Sequence, residues 1–278
     1  LYYKTINILK ENYEITSRPE QIQKAKSALK DELSYWENTQ IEAEINRHYA
    51  GFYLGLTTQT QAIFSNLSIN IDTLSINSKV ETDLARDATK ICFLIEDHPG
   101  IFSRLTGAIA LSGANVIDAR TYTTSDGFAT SVFWLQNKEG KPFEENRLDK
   151  LNQTINEALK GQIIARDILK EKGKIKKKEK DFIVPTNITF DNEGSEIHTI
   201  IEIETRDRLG LLYDLAKTLS NNYISISSAI IATFGEQAVD TFYVKDLFGL
   251  KLHSLSKRQK LEHKLKEAIQ AGTLIDPY

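Results

Sequence analysis

The sequence repeats itself, and this repeat restricts the fold more than any other feature. The segment 93–140 recurs as 203–249, and Gly100 aligns with Gly210 at a shift of 110 positions. Further along, a one-residue gap at a predicted turn changes the shift to 109. A repeat with a single short gap predicts one folding unit that is present in two copies.

The composition is typical of a globular protein with room for two domains. The chain has 278 residues, of which 41% are hydrophobic and 26% are charged. Its formal net charge of −3 argues against nucleic acid as a partner. The single cysteine, Cys92, leaves no disulfide framework, so we expect a reducing, cytoplasmic setting.

Two further features are the lack of a membrane or export signal and the lack of methionine. No segment approaches the roughly 18 apolar residues that span a bilayer, and no secretory signal is present, so no membrane partner is expected. The chain begins at Leu1 and contains no methionine. We therefore expect that further sequence precedes Leu1.

Residues 1–87 are predicted to form a helical lead-in from upstream domains. Ser17 to Glu20 fits a capping box, and the apolar residues that follow recur at helical spacing. A second capping box is predicted at Thr39 to Glu42.

From about Ala88 the pattern changes to strand, helix, strand, strand, helix, and this order then occurs a second time. We assign the first copy to 88–165 and the second to 197–278. The connector between them, 166–196, contains a lysine run at 170–180. We interpret the run as a solvated linker, with a phosphate or an acidic partner as the alternative ligand.

The order βαββα predicts an α+β fold in which both helices cover one face of a small antiparallel sheet. A fourth strand would complete a ferredoxin-like unit. We expect it after the second helix or lent by a neighbouring segment, for which Val184–Phe190 is a candidate. Gly113 is predicted to end the first helix, and Asp126-Gly127 indicates a hairpin.

Two loops, Asp97–Gly100 and Asp207–Gly210, are predicted where a strand ends and a helix begins. The free amides at a helix N-terminus suit a carboxylate, and an aspartate can accept a hydrogen bond from an ammonium group. The alternative is that the aspartate caps the helix and the glycine only permits the turn.

The start of the next strand in each copy is the second candidate element. Its backbone could hold a ligand's carboxamide or carboxylate, and the alternative is an ordinary edge strand. The candidate ligand-binding residues are Asp97, His98, Gly100, Ile101, Asn115, Val116, Asp207, Gly210, Leu211, Ser225 and Ile226.

Both loops resemble the D-x-P-G-L opening of ACT domains, which are ferredoxin-like modules that bind amino acids and regulate enzymes. Gly113–Arg120 and Phe133–Gln136 are similar to the first ACT domain of the bifunctional PII uridylyltransferase/uridylyl-removing enzymes. Ala232–Glu236, Val239–Val244 and Asp246–Gly249 resemble the second ACT domain of that family.

The resemblance extends upstream of the repeat. Leu1–Thr5 and Arg47–Tyr49 are similar to the segment that joins the family's phosphodiesterase domain to its ACT pair. Leu209 departs from the family pattern, in which proline is usual.

The resemblance implies a regulatory region that senses an amino acid, glutamine above all. It would control uridylylation and deuridylylation of the PII protein by the upstream catalytic domains. The family's catalytic motifs are absent, since Gly194-Ser195 has no Asp-x-Asp after it and no His-Asp pair occurs. No cofactor is therefore expected in this chain, and the Mg²⁺ of such an enzyme would serve its catalytic domains.

Whether the chain belongs to an enzyme is left open by these residues. The alternatives are a stand-alone ACT-repeat adaptor and a scaffold that only dimerises, so a homodimer is also left open.

Overall fold

A computed structural model describes residues 17–69, 76–160, 185–208 and 210–271. These residues fall into two compact units that divide between Ser65 and Asn66. The first unit is helical, and the second contains both copies of the repeat. The lysine run at 170–180 lies outside the described residues.

Four helices begin within the described residues 17–65 of the first unit, and the last of them runs across the division. They are α1 (Arg18–Glu32), α2 (Asn38–Arg47), α3 (Ala50–Gly55) and α4 (Thr58–Ser68). The capping box predicted at Ser17 and Glu20 is confirmed. The one predicted at Thr39 is wrong, because Glu37 and Gln40 form a box that starts α2 earlier.

The first copy forms a four-stranded antiparallel sheet with the order β1-β2-β4-β3. Its elements are β1 (Asn77–Asp83), β2 (Ala88–Glu96), α5 (Ile101–Leu111), β3 (Asn115–Thr123), β4 (Phe128–Gln136) and α6 (Glu145–Leu159).

The second copy has the same topology, with the order β5-β6-β8-β7. Its elements are β5 (Asn187–Asp191), β6 (Thr199–Arg206), α7 (Leu211–Asn221), β7 (Ser225–Phe234), β8 (Gln237–Lys245) and α8 (Leu255–Ala271). The predicted α+β class with antiparallel sheets is thus confirmed.

The fourth strand of each sheet precedes the repeat instead of following the second helix. In the second copy it is β5, which overlaps the predicted lent segment Val184–Phe190. In the first copy it is β1, inside the range 1–87 that we interpreted as a helical lead-in. Because β1 and β5 occupy the free edges of β2 and β6, no edge there is left for a later strand.

The two copies lie side by side, with β3 next to β7 and α5 against α7. Alternate side chains along the strands, such as Phe133 and Phe242, join helix residues such as Leu105 and Leu215 in one buried cluster. Burying one side chain of this size stabilises the fold by about 1.5–3 kcal/mol, so the shared cluster holds the copies together.

The gap in the repeat falls at the hairpin between the third and fourth strands. The first copy turns through Thr124–Gly127, where the amide of Thr124 donates to Phe128 O at 2.8 Å. The second copy turns through only Gly235 and Glu236. The hairpin predicted from Asp126-Gly127 is confirmed.

The residue that ends the first helix differs between the copies. Gly113 has φ +79° after α5, as predicted. The equivalent residue after α7 is Tyr223, which has φ +59° and is 72% exposed. A side chain in this left-handed region costs roughly 1–2 kcal/mol, and little packing offsets that cost here.

We predict that Tyr223→Gly raises the free energy of unfolding by about 0.5–1 kcal/mol, since relief of the strain exceeds the entropy that glycine adds to the unfolded chain. Urea denaturation measures the change. Gly113→Ala is the matched control and should destabilise the protein by a similar amount. A Tyr223→Gly protein less stable than the wild type would contradict the argument.

Candidate functional site

The two copies form two pockets where they meet, and every candidate residue lines one of them. The first pocket combines the loop residues Asp97, His98, Gly100 and Ile101 with the strand start Ser225 and Ile226. The second pocket combines the loop residues Asp207, Gly210 and Leu211 with the strand start Asn115 and Val116.

Each pocket therefore takes its loop from one copy and its strand start from the other. The first helices follow the same rule. Ala216 and Ser220 of α7 line the first pocket, whereas the equivalent Thr106 and Ala110 of α5 line the second. The pockets are thus equivalent positions of the repeat with different side chains.

The glycine of each loop is the N-terminal cap of the helix that follows. Gly100 precedes α5 with φ +88°, and Gly210 precedes α7 with φ +81°. Glycine therefore occupies the cap position of each helix, and the aspartate of each loop lies three residues before it. A Cβ added to Gly100 would lie 3.1 Å from Ser220 Oγ, hence the loop packs closely against the other copy.

The carboxylate of Asp97 is held by the end of the neighbouring strand. Asp97 Oδ2 accepts a hydrogen bond from Thr123 Oγ1 at 2.6 Å. The backbone amide of Asp97 donates to Gly127 O at 2.8 Å. These contacts fix a carboxylate beside the N-terminus of α5, where the first-turn amides point along the helix axis.

An arginine ties the first loop to the end of the second helix. Arg104 Nη2 donates to Leu159 O at 2.6 Å, and its Nη1 lies 3.1 Å from His98 Nε2. A cation at the last carbonyls of a helix is favoured by the helix dipole. His98 therefore positions this arginine at the rim of the pocket.

The second copy makes the same tie with an arginine that lies on the loop itself. Arg208 Nη2 donates to Ala268 O of α8 at 3.2 Å and to Asp214 Oδ2 at 2.6 Å. Arg208 aligns with His98 and not with Arg104. The arginine therefore has a different position in each copy, but in both it donates to a carbonyl near the end of the second helix. Leu209, the departure from the proline of the family pattern, lies outside the described residues.

The pockets differ in size. The first has a cavity of about 160 Å³ and the second of about 30 Å³. Tyr213 lines the second pocket where the first has Ser103, and its hydroxyl accepts a hydrogen bond from Lys217 Nζ at 2.8 Å. A cavity near 150 Å³ can hold a molecule the size of benzene, whereas one of about 30 Å³ suits only a small polar group.

The second pocket reaches a buried carboxyl group that we did not predict. Asp240 is 1% exposed, lines this pocket together with Asp207, and its Oδ1 has no hydrogen-bond partner. Burial raises the pKa of Asp240 well above its usual value, and the nearby Asp207 carboxylate adds to the rise. Burial also raises the pKa of Asp207, although Arg208 opposes that rise.

The repeat itself carried the signal for this residue. Asp240 lies in the apolar strand segment Ala238–Val244, which is an unusual place for a carboxylate. The aligned residue in the first copy is Ser131, whose hydroxyl lies 2.7 Å from Thr121 Oγ1. A polar residue that differs between two copies of one strand indicates a different role in each.

The first pocket combines groups that complement both charges of a zwitterion. The Asp97 carboxylate and the N-terminus of α5 lie beside one another, and the hydroxyl groups of Ser103, Ser220 and Ser225 also line the cavity. Among the residues with described structure, no group of three or more His, Cys, Asp or Glu side chains could hold a metal ion. Burial raises the pKa of the Cys92 thiol to about 12, which removes it as a nucleophile near neutral pH.

We predict that Asp240 lowers the stability of the folded protein as pH rises above about 4, the value for an unfolded aspartate, because burial raises its pKa in the folded state. Asp240→Asn removes this contribution, so the free energy of unfolding of the wild type should fall with rising pH relative to that of the variant, whereas Asp207 contributes a decline in both proteins.

Urea denaturation across this pH range measures the slope, with Ser131→Ala as the control that changes no carboxyl group. Equal slopes for the wild type and Asp240→Asn would show that Asp240 titrates normally in the folded state.

Comparison with known proteins agrees with the fold. Residues 187–275 match the family described as ACR9-like, ACT-like domain. None of the described helices has the length and apolar character that a membrane span needs.

Three bifunctional uridylyltransferase/uridylyl-removing enzymes are similar along nearly the whole chain. The enzyme of Cereibacter sphaeroides is 50% identical over 98% of this chain and 29% of its own length. The enzyme of Ruegeria pomeroyi is 50% identical over 98% of this chain and 30% of its own length. The enzyme of Azospirillum brasilense is 36% identical over 97% of this chain and 29% of its own length. The chain thus spans under a third of these relatives.

Residues 187–275 therefore match an ACT-like domain, and along nearly all of its length the chain is similar to one part of the bifunctional uridylyltransferase/uridylyl-removing enzymes.

Proposed function

We propose that this chain is the C-terminal amino-acid-sensing region of a cytoplasmic bifunctional uridylyltransferase/uridylyl-removing enzyme, and that it responds to glutamine. In this proposal it controls whether the upstream catalytic domains, which would use Mg²⁺, add uridylyl groups to the PII protein or remove them. The observation that carries the proposal is the first pocket, because its polar groups match an amino acid and both copies build it.

The polar groups around the first pocket suit each end of glutamine. The α-carboxylate is placed at the N-terminus of α5, where the amides of Phe102 and Ser103 and the helix dipole favour an anion by about 0.3–2 kcal/mol. The α-ammonium group donates to the carboxylate of Asp97. The side-chain amide is placed near the hydroxyls of Ser220 and Ser225, which line the opposite side.

Glutamine fits this arrangement better than glutamate. Hydroxyl groups can accept hydrogen bonds from an amide NH₂, whereas glutamate would bring a further negative charge near Asp97.

The pocket can act as a regulatory switch because it crosses the boundary between the copies. A ligand that contacts the loop of one copy and the strand start of the other favours the packing in which both are close. A coupling of about 1–3 kcal/mol between this packing and a catalytic site changes an equilibrium by roughly 5- to 150-fold. In the sequence, the helical unit precedes both copies, so in this proposal it connects the pockets to the upstream catalytic domains.

Isothermal titration calorimetry tests the proposal, and we predict that glutamine binds to the purified chain. Ser220→Ala gives the first pocket the alanine that the second pocket has at Ala110, and it should weaken binding about 5- to 10-fold through loss of one hydrogen bond.

Ala110→Ser is the matched control and should leave the affinity of the first pocket unchanged. The proposal would be refuted by the absence of heat at millimolar glutamine.

A further inference from the structure

The polar residues at the base of the two loops pair differently in the two copies. In the first copy they satisfy one another, since Thr121 bonds to Ser131 and Thr123 bonds to Asp97. In the second copy the position of Ser131 is taken by Asp240, and the position of Thr121 is taken by Ile231, which cannot form a hydrogen bond. The hydroxyl pair of the first copy is therefore replaced by a buried carboxyl group.

This carboxyl group lies where a ligand could reach it. Asp240 and Asp207 line the same cavity of about 30 Å³. Arg208, the cation on this loop, is engaged by Asp214 and by the last turn of α8. The other side chains around the cavity are uncharged, and among them Thr106, Asn115, Tyr213 and Thr233 are polar.

We propose that the second pocket binds a primary ammonium group between the carboxyl groups of Asp207 and Asp240. An ammonium group carries three N–H donors and one positive charge, which match two neighbouring carboxyl groups, of which Asp240 has an oxygen without a hydrogen-bond partner. It is also close in size to a water molecule, which a cavity of this volume accepts. The rest of an amino acid would extend toward the mouth, beside the amide of Asn115.

Binding exchanges a proton. In the empty pocket Asp240 keeps its proton because its burial disfavours the charged form. When the ammonium group enters, its charge stabilises the ionised form, so the proton of Asp240 leaves to solvent. The pocket then holds two carboxylates and one ammonium ion. One positive charge leaves as the proton and one enters with the ammonium group, so the net charge of the pocket does not change.

The same chemistry makes the two pockets unequal. The first pocket has one carboxylate, hydroxyl groups and room for a whole small molecule. The second has two carboxyl groups and room for the ammonium group alone. This inference deepens the proposed function by assigning a ligand class to the second pocket, but it does not depend on glutamine being the ligand.

The first experiment uses methylammonium chloride as the probe and tetramethylammonium chloride, which has no N–H donor and a larger volume, as the control. At equal ionic strength, methylammonium should raise the Tm of the wild-type chain by roughly 2 °C or more once it exceeds its Kd several-fold. Tetramethylammonium should not.

Variants then locate the effect. Asp240→Asn, which keeps the shape of the side chain, should weaken the methylammonium response about tenfold, as should Asp240→Ser, which restores the residue of the first copy. Ser131→Ala should respond like the wild type. Equal responses from the wild type and both Asp240 variants would overturn the inference.

Calorimetry in two buffers of different ionisation enthalpy separates this inference from the proposed function. The second pocket should release up to about one proton for each ammonium group bound, and Asp240→Asn should release none. If glutamine gives no heat of binding but the protein responds to methylammonium and Asp240 is required for that response, only the proposed function is refuted. Glutamine binding without a methylammonium response would refute this inference alone.

Discussion

The close packing of the Gly100 loop against Ser220 of the other copy is the constraint on which the first pocket depends. Gly100 and Gly210 both adopt a left-handed conformation and start a helix. A Cβ at Gly100 would lie 3.1 Å from Ser220 Oγ, so a larger residue at this position would crowd the serine. A loop held in this way cannot move without disturbing a helix of the opposite copy. This connects any ligand at the loop to the packing of the whole pair.

The duplication provides an internal control for the chemistry of the pockets. Outside the hairpin, the backbone frame is the same in both copies, with one sheet order and one contact from an arginine to the end of the second helix. What differs is a small set of side chains, chiefly Ser103 against Tyr213 and Ser131 against Asp240. Because the frame needs neither member of these pairs, their differences point to different ligands.

The sequence predicted the repeat, the order of the elements and the two loops, because each of these follows from local chemistry. Turn residues, helical spacing and a glycine before a helix are visible without knowledge of long-range contacts. Strand β1 was missed because Asn77–Asp83 is polar and pairs only at the edge of the sheet. Asp240 was missed because it lies inside a strand and we sought ligand-binding residues only in the loops and at strand starts. A repeat does not reveal which loop meets which strand, so the crossing of Asn115 and Ser225 to the opposite loops appeared only in the structure.

Hydrogen–deuterium exchange with and without glutamine tests the central claim most directly, which is that one ligand contacts both copies. The account predicts that glutamine slows exchange at the amides of Gly100–Phe102 and of Ile224–Ile226 together, over the same concentration range. Slower exchange at Gly100–Phe102 and at Asn115–Val116 of the same copy, with no change at Ile224–Ile226, would contradict it.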